Sequence, residues 1–134
     1  ALLMATMSGV EVNLMFPCKP DHPFVYWATL SYVGELIMAG ANCYTYDNGF
    51  LHAKGLSIDG KACCYGTANM DIRSFELNFE VNAMIFDQNI AGEMERIFRE
   101  DLKCCTRITK EMYKSRSVWI RFKEQISRLL SPVL

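Results

Sequence analysis

His52-Ala53-Lys54-Gly55-Leu56-Ser57-Ile58-Asp59-Gly60-Lys61-Ala62-Cys63-Cys64-Tyr65-Gly66-Thr67-Ala68-Asn69 is the stretch from which the rest of the chain is read. Asp59-Gly60 between two apolar runs is a two-residue hairpin turn. Phe50 to Ile58 is therefore expected as one strand and Lys61 to Tyr65 as its return. Residues two apart on a strand share a face, which sets His52 beside Lys54.

An imidazole next to a fixed ammonium suits attack on a phosphodiester: the ring nitrogen is the nucleophile and the lysine holds the anionic oxygens. Asn69, past the return strand, offers an amide to the same phosphate, and Thr67 a hydroxyl. Asp59 lies in the turn, where a structural role is expected before proton transfer. A catalytic histidine also needs its second nitrogen held. The apolar run from Leu77 to Phe86 contains one carboxylate, Glu80. A buried charge there requires a partner, and the Nδ1 hydrogen of His52 is the expected one. The competing reading is an exposed glutamate on an edge strand.

Outward from this hairpin the pattern is that of an α/β layer. Ala1 to Ser8 reads as a helix, Val10 to Phe16 as a strand closed by Pro17, and Phe24 to Ala39 as a helix stopped by Gly40. Cys43 to Tyr46 is a short strand. Ile90, Met94, Ile97, Phe98 and Leu102 give one apolar helical face between Asn89 and Lys103. Early βα alternation implies parallel pairing and the hairpin adds antiparallel strands, so the expectation is a mixed β-sheet flanked by helices on both faces. The chain of 134 residues, 51% hydrophobic and 12% aromatic, is long enough to bury a real core. Residues 1–106 are read as a catalytic half-domain and 107–134 as a basic amphipathic helical tail, with Thr106 to Ser117 as the expected hinge.

Charge is segregated. Residues 1–102 carry 6 Lys/Arg against 13 Asp/Glu, and residues 103–134 carry 8 against 2. An acidic catalytic body argues against nucleic acid as a partner. In the tail, Trp119, Phe122, Ile126, Leu129 and Leu130 recur at helical spacing among Arg121, Lys123 and Arg128. Such a helix either lies on an anionic membrane surface or packs on the domain by that apolar stripe, and packing is the expected outcome. The six cysteines contain no C-x-x-C pair, so neither a zinc site nor a disulfide framework is expected; at least one of Cys63 and Cys64 should be a core residue. His22, in a Pro-flanked loop, is expected to be a solvated loop histidine.

His52-x-Lys54-x4-Asp59-x6-Gly66-Thr67-x-Asn69 resembles the HKD motif of the phospholipase D superfamily. Gly66-Thr67-Ala68-Asn69-Met70-Asp71-Ile72-Arg73-Ser74-Phe75 and Asn78-Phe79-Glu80-Val81-Asn82 are similar to the second catalytic half of bacterial cardiolipin synthases, as are Pro17 to Pro23 and the tail from Trp119. The resemblance implies a phospholipase D-like half-domain that transfers a phosphatidyl group between two phosphatidylglycerol molecules through a phosphohistidine. Its catalytic residues would be His52, Lys54, Asp59, Asn69 and Glu80, with Thr67, Asp71 and Arg73 against the substrate and no cofactor or metal; on the residues alone, Asp71 and Arg73 either line the pocket or brace the loop after Asn69. His52 would be general acid if the nucleophile belongs to a first motif. The family carries two such motifs and N-terminal membrane-spanning helices. This chain has one motif and no run of the roughly 18 apolar residues that a span requires, so it is expected to be a soluble C-terminal fragment of a membrane-anchored enzyme with a cytoplasmic catalytic part. Its expected partners are anionic phospholipid, the N-terminal half or a second copy, and peripheral membrane contact. Two alternatives stand: a phosphodiesterase or nuclease active as a homodimer, and an inactive membrane or assembly module.

Overall fold

The computed structural model describes residues 1–19 and 23–130. In chain order the elements are α1 (Leu2–Met7), β1 (Asn13–Pro17), α2 (Pro23–Ala39), β2 (Asn42–Tyr46), β3 (Gly55–Ile58) and β4 (Ala62–Gly66). They continue with α3 (Ile72–Glu76), β5 (Asn82–Ile85), α4 (Gln88–Leu102), β6 (Cys105–Ile108), α5 (Lys110–Lys114) and α6 (Val118–Leu130). These form two compact units, one of residues 1–51 with the segment from 105 onward, the other of residues 52–104. Asp21 and His22 lie outside the described residues.

In the first unit β1 runs parallel to β2, with α2 as the crossover, and β6 pairs antiparallel on the other edge of β2. Gly40, at φ +115°, ends α2 in a conformation that L side chains rarely adopt. The core joins Phe16 of β1, Val33 and Ile37 of α2, Ala41 and Cys43. Only Glu35 is charged along α2. A helix apolar almost all round needs cover on more than one side, and α2 packs against both the sheet and α6.

The second unit is an antiparallel sheet in the order β3-β4-β5, with α4 against β3 and β4. The expected turn is present: Asp59 and Gly60 have φ +51° and +61°, and Lys61 N donates to Ile58 O at 2.9 Å. That left-handed pair is the hairpin turn whose twist matches its strands. Cys63 is buried, as one of the adjacent cysteines had to be, and all six thiols are free.

The α/β class holds, with mixed and antiparallel sheets against helices, but the strands form two sheets rather than one. Both edges of β2 are occupied, by β1 and β6, so the hairpin cannot extend from it. The segment read as a hinge holds most of β6 and then α5, whose first turn is capped by Thr109 accepting from Met112 N. The boundary read between residues 106 and 107 falls inside β6.

The tail helix forms where expected but faces the other way. α6 packs on α2 with Glu124 and Ser127 buried, at 2% and 1% exposure, while Trp119, Phe122, Ile126, Leu129 and Leu130 are exposed. Polar anchors override the apolar stripe. Arg116 pairs with Glu124 and stacks 3.2 Å over the Tyr113 ring, and Arg128 pairs with Glu35 on α2. Burial pushes the Glu124 carboxyl above the ordinary glutamate range, outweighing Arg116.

Candidate active site

The motif residues all belong to the second unit. His52 and Lys54 precede β3 rather than sitting in a paired strand. Ladder pairing ends at Gly55 opposite Tyr65, extended by one bond from Gly66 N to Lys54 O at 3.3 Å. A side chain at Gly55 would sit 2.1 Å from the Tyr65 ring, so the glycine allows the chain to enter the sheet here. Lys54, half-buried, turns its Nζ back to the His52 carbonyl oxygen at 3.3 Å, and His52 itself is exposed. The lysine is thereby tied to the histidine's backbone.

The Gly66–Asn69 loop is stitched to the entry of β5. Thr67 N donates to Val81 O and Val81 N donates to Thr67 Oγ1, each at 3.0 Å, and Ala68 N reaches Asn82 Oδ1 at 3.4 Å. Asn69 N donates to Ser74 Oγ at 3.1 Å. Ser74 N in turn donates to Asp71 Oδ1 at 2.7 Å, which makes Asp71 the N-cap of α3. Asp71 thus braces the loop with the carboxylate that the resemblance assigned to substrate. Arg73, on α3, is exposed.

Glu80 is not on a strand, because α3 occupies Ile72–Glu76 and β5 starts only at Asn82. The residue is half-buried and its carboxyl is hydrogen-bonded. Thr67 and Asn78 hold it below the ordinary glutamate range, against the cost of partial burial, with Ser74 and the charge of Lys54 adding to them. Asn78 Nδ2 lies 3.2 Å from Glu80 Oε1. Lys54, Thr67 and Glu80 are therefore brought together, and Asn69 is joined to them through Ser74. Asp59 is separate: it follows the far end of β3, five residues or roughly 17 Å of extended chain beyond Lys54.

Ser74 and Asn78 are the site residues that the sequence reading passed over. Ser74 is buried, accepts from Asn69 and caps into Asp71. The one signal for it was Asp71-x-x-Ser74 at N-cap spacing. Among the described residues no cluster of three or more His, Cys, Asp or Glu side chains is arranged for a metal ion, and no helix is long and apolar enough to cross a membrane.

The second unit brings Lys54, Thr67 and Glu80 to the loop that bears Asn69, and the class of the chain is a phospholipase D-like domain. Residues 1–102 match the family described as cardiolipin synthase, PLD-like domain, and the chain belongs to that family. Over all 134 residues it is 57% identical to the major cardiolipin synthase ClsA of Bacillus subtilis (strain 168). It is 56% identical to a cardiolipin synthase of Oceanobacillus iheyensis and 54% identical to one of Listeria monocytogenes serotype 4b. In each case the chain spans 28% of the relative's length.

Proposed function

We propose that this chain supplies one of two catalytic halves of a cardiolipin synthase, with His52 as one of the two reacting imidazoles. The observation that carries this reading is the Lys54, Thr67 and Glu80 cluster, tied by Lys54 to the His52 backbone. In the first step an imidazole nitrogen bonds to the phosphorus of one phosphatidylglycerol. The P–O bond to its glycerol breaks, and the departing alkoxide takes a proton from the other half's imidazole. In the second step a glycerol hydroxyl of another phosphatidylglycerol gives that proton back and bonds to phosphorus. The P–N bond breaks, cardiolipin leaves, and the histidine is regenerated.

Within this reading Lys54 neutralises the phosphate oxygens that gain charge in the transition state, and Asn69 and Thr67 bind the same group. Glu80 orients His52 through Nδ1 and stabilises the imidazolium. Asp59 shapes the hairpin, Asp71 holds the Asn69 loop through Ser74, and Arg73 reaches the anionic headgroup. The fold supports a fixed Glu80 by surrounding it with donors.

The test is complementation. The chain is combined with a second polypeptide carrying the other HKD half, in phosphatidylglycerol vesicles, and cardiolipin, phosphatidic acid and glycerol are followed. Cardiolipin and glycerol are expected from the pair. His52→Ala should lower the rate by at least about 10²-fold. Cardiolipin formation that survives His52→Ala would remove His52 from the chemistry.

A further inference from the structure

A surface helix ordinarily buries its apolar face and wets its polar one. α6 does the reverse. Ile120, Glu124 and Ser127, at helical spacing, turn toward the domain, and Glu124 and Ser127 are almost fully buried. Val118, Phe122 and Ile126, four residues apart, form the opposite side together with Trp119 and Leu129. Trp119 is 75% and Leu129 81% exposed. Trp119 and Phe122 meet edge to face at 6.4 Å, and with Val118 they line a shallow groove of about 330 Å³.

The orientation is pinned. Arg116 pairs with Glu124, and Arg128 pairs with Glu35 and lies 4.6 Å over the Tyr32 ring. Rolling the helix to bury Trp119 would break these contacts. Cations border the apolar face: Arg121 and Lys123 are exposed at its two edges. Of the two acids in residues 103–134, Glu124 is buried beneath Arg116 and Glu111 is exposed on α5.

We propose that α6 docks this domain on an anionic phospholipid surface, inserting Val118, Trp119, Phe122, Ile126 and Leu129 at the headgroup boundary while Arg121 and Lys123 pair with headgroup phosphates. Charge complementarity selects this occupant. An aromatic face bordered by cations is the pattern that binds anionic interfaces. Two copies of the same cationic segment would instead repel each other across a self-association face. The proposal is independent of the catalytic reading, because none of its residues belongs to the motif.

The experiment is co-sedimentation of the 134-residue chain with vesicles of phosphatidylcholine, with and without phosphatidylglycerol. Tryptophan emission is read in parallel, with quenching by brominated lipid. The chain should bind vesicles that contain phosphatidylglycerol, shift its emission to the blue and be quenched. A Trp119→Ser, Phe122→Ser variant should bind at least about tenfold more weakly, with its circular dichroism and thermal unfolding unchanged. Arg121→Gln with Lys123→Gln should weaken binding and flatten its salt dependence, and His52→Ala should bind like the parent. Three results would overturn the proposal. One is a folded chain that ignores the anionic vesicles or binds them equally well in the serine variant. Another is a dimer that the serine variant dissolves. The third is a benzoylphenylalanine at position 122 that, in the complemented enzyme on vesicles, cross-links to protein and not to lipid.

Discussion

Glu80 shows how a single residue acquires its character from neighbours that are distant in pattern though close in number. Thr67, Asn78, Ser74 and Lys54 converge on one carboxylate and keep it ionised. Its folded value lies below the unfolded one. The ionised form therefore favours the fold above the ordinary glutamate range, and that contribution is lost as pH falls through the lowered value. In a carbon-13 NMR titration Glu80 should titrate below a reference glutamate, and Thr67→Ala should bring it back up. His52, Lys54, Asp59, Thr67, Asn69 and Asp71 could be named as candidates from the sequence because their spacing is local; that Asp71 caps α3 and that Asp59 stands away from Lys54 came from the fold. Ser74 and Asn78 could not be named, because a serine on a short helix and an asparagine after it carry no signal until the loop folds against them.

Individual elements depend on close approaches that composition does not report. A Cβ at Gly66 would lie 2.2 Å from the Val81 carbonyl oxygen and 2.6 Å from Asn82 Cα, both backbone atoms of the segment that carries Thr67's partner. Gly66→Ala should cost about 1–3 kcal/mol in urea unfolding. Gly92, inside α4, meets nothing within 4 Å, so Gly92→Ala should stabilise by up to about 1 kcal/mol. The Arg116–Glu124 pair works differently. Burial raises Glu124 above its unfolded value, so its contribution is full below the ordinary glutamate range and is lost as pH rises through the raised value. Removing the cation with Arg116→Met strands a carboxylate that is 2% exposed. The same urea assay should show a loss of about 3 kcal/mol at neutral pH, diminishing toward acid as Glu124 protonates.

At the scale of the whole molecule, helix existence, the Asp59-Gly60 hairpin, the segregation of charge and membership in the cardiolipin synthase family are all properties of the sequence by itself. They depend on local period, turn chemistry and residue identity at fixed spacing, which survive without knowledge of the partners. Which edges of β2 are filled, and hence that the strands make two sheets, was decided only in three dimensions, because an alternating pattern names a strand's faces but not its neighbours. The same limit explains α6. Its sequence specifies two unlike faces, and the apolar one was expected inside. The tertiary structure turned it outward because Arg116, Glu35 and the nearly all-apolar α2 offered the polar face fixed partners, and a buried charge with its counter-ion in place holds a helix's rotation as firmly as an apolar stripe does.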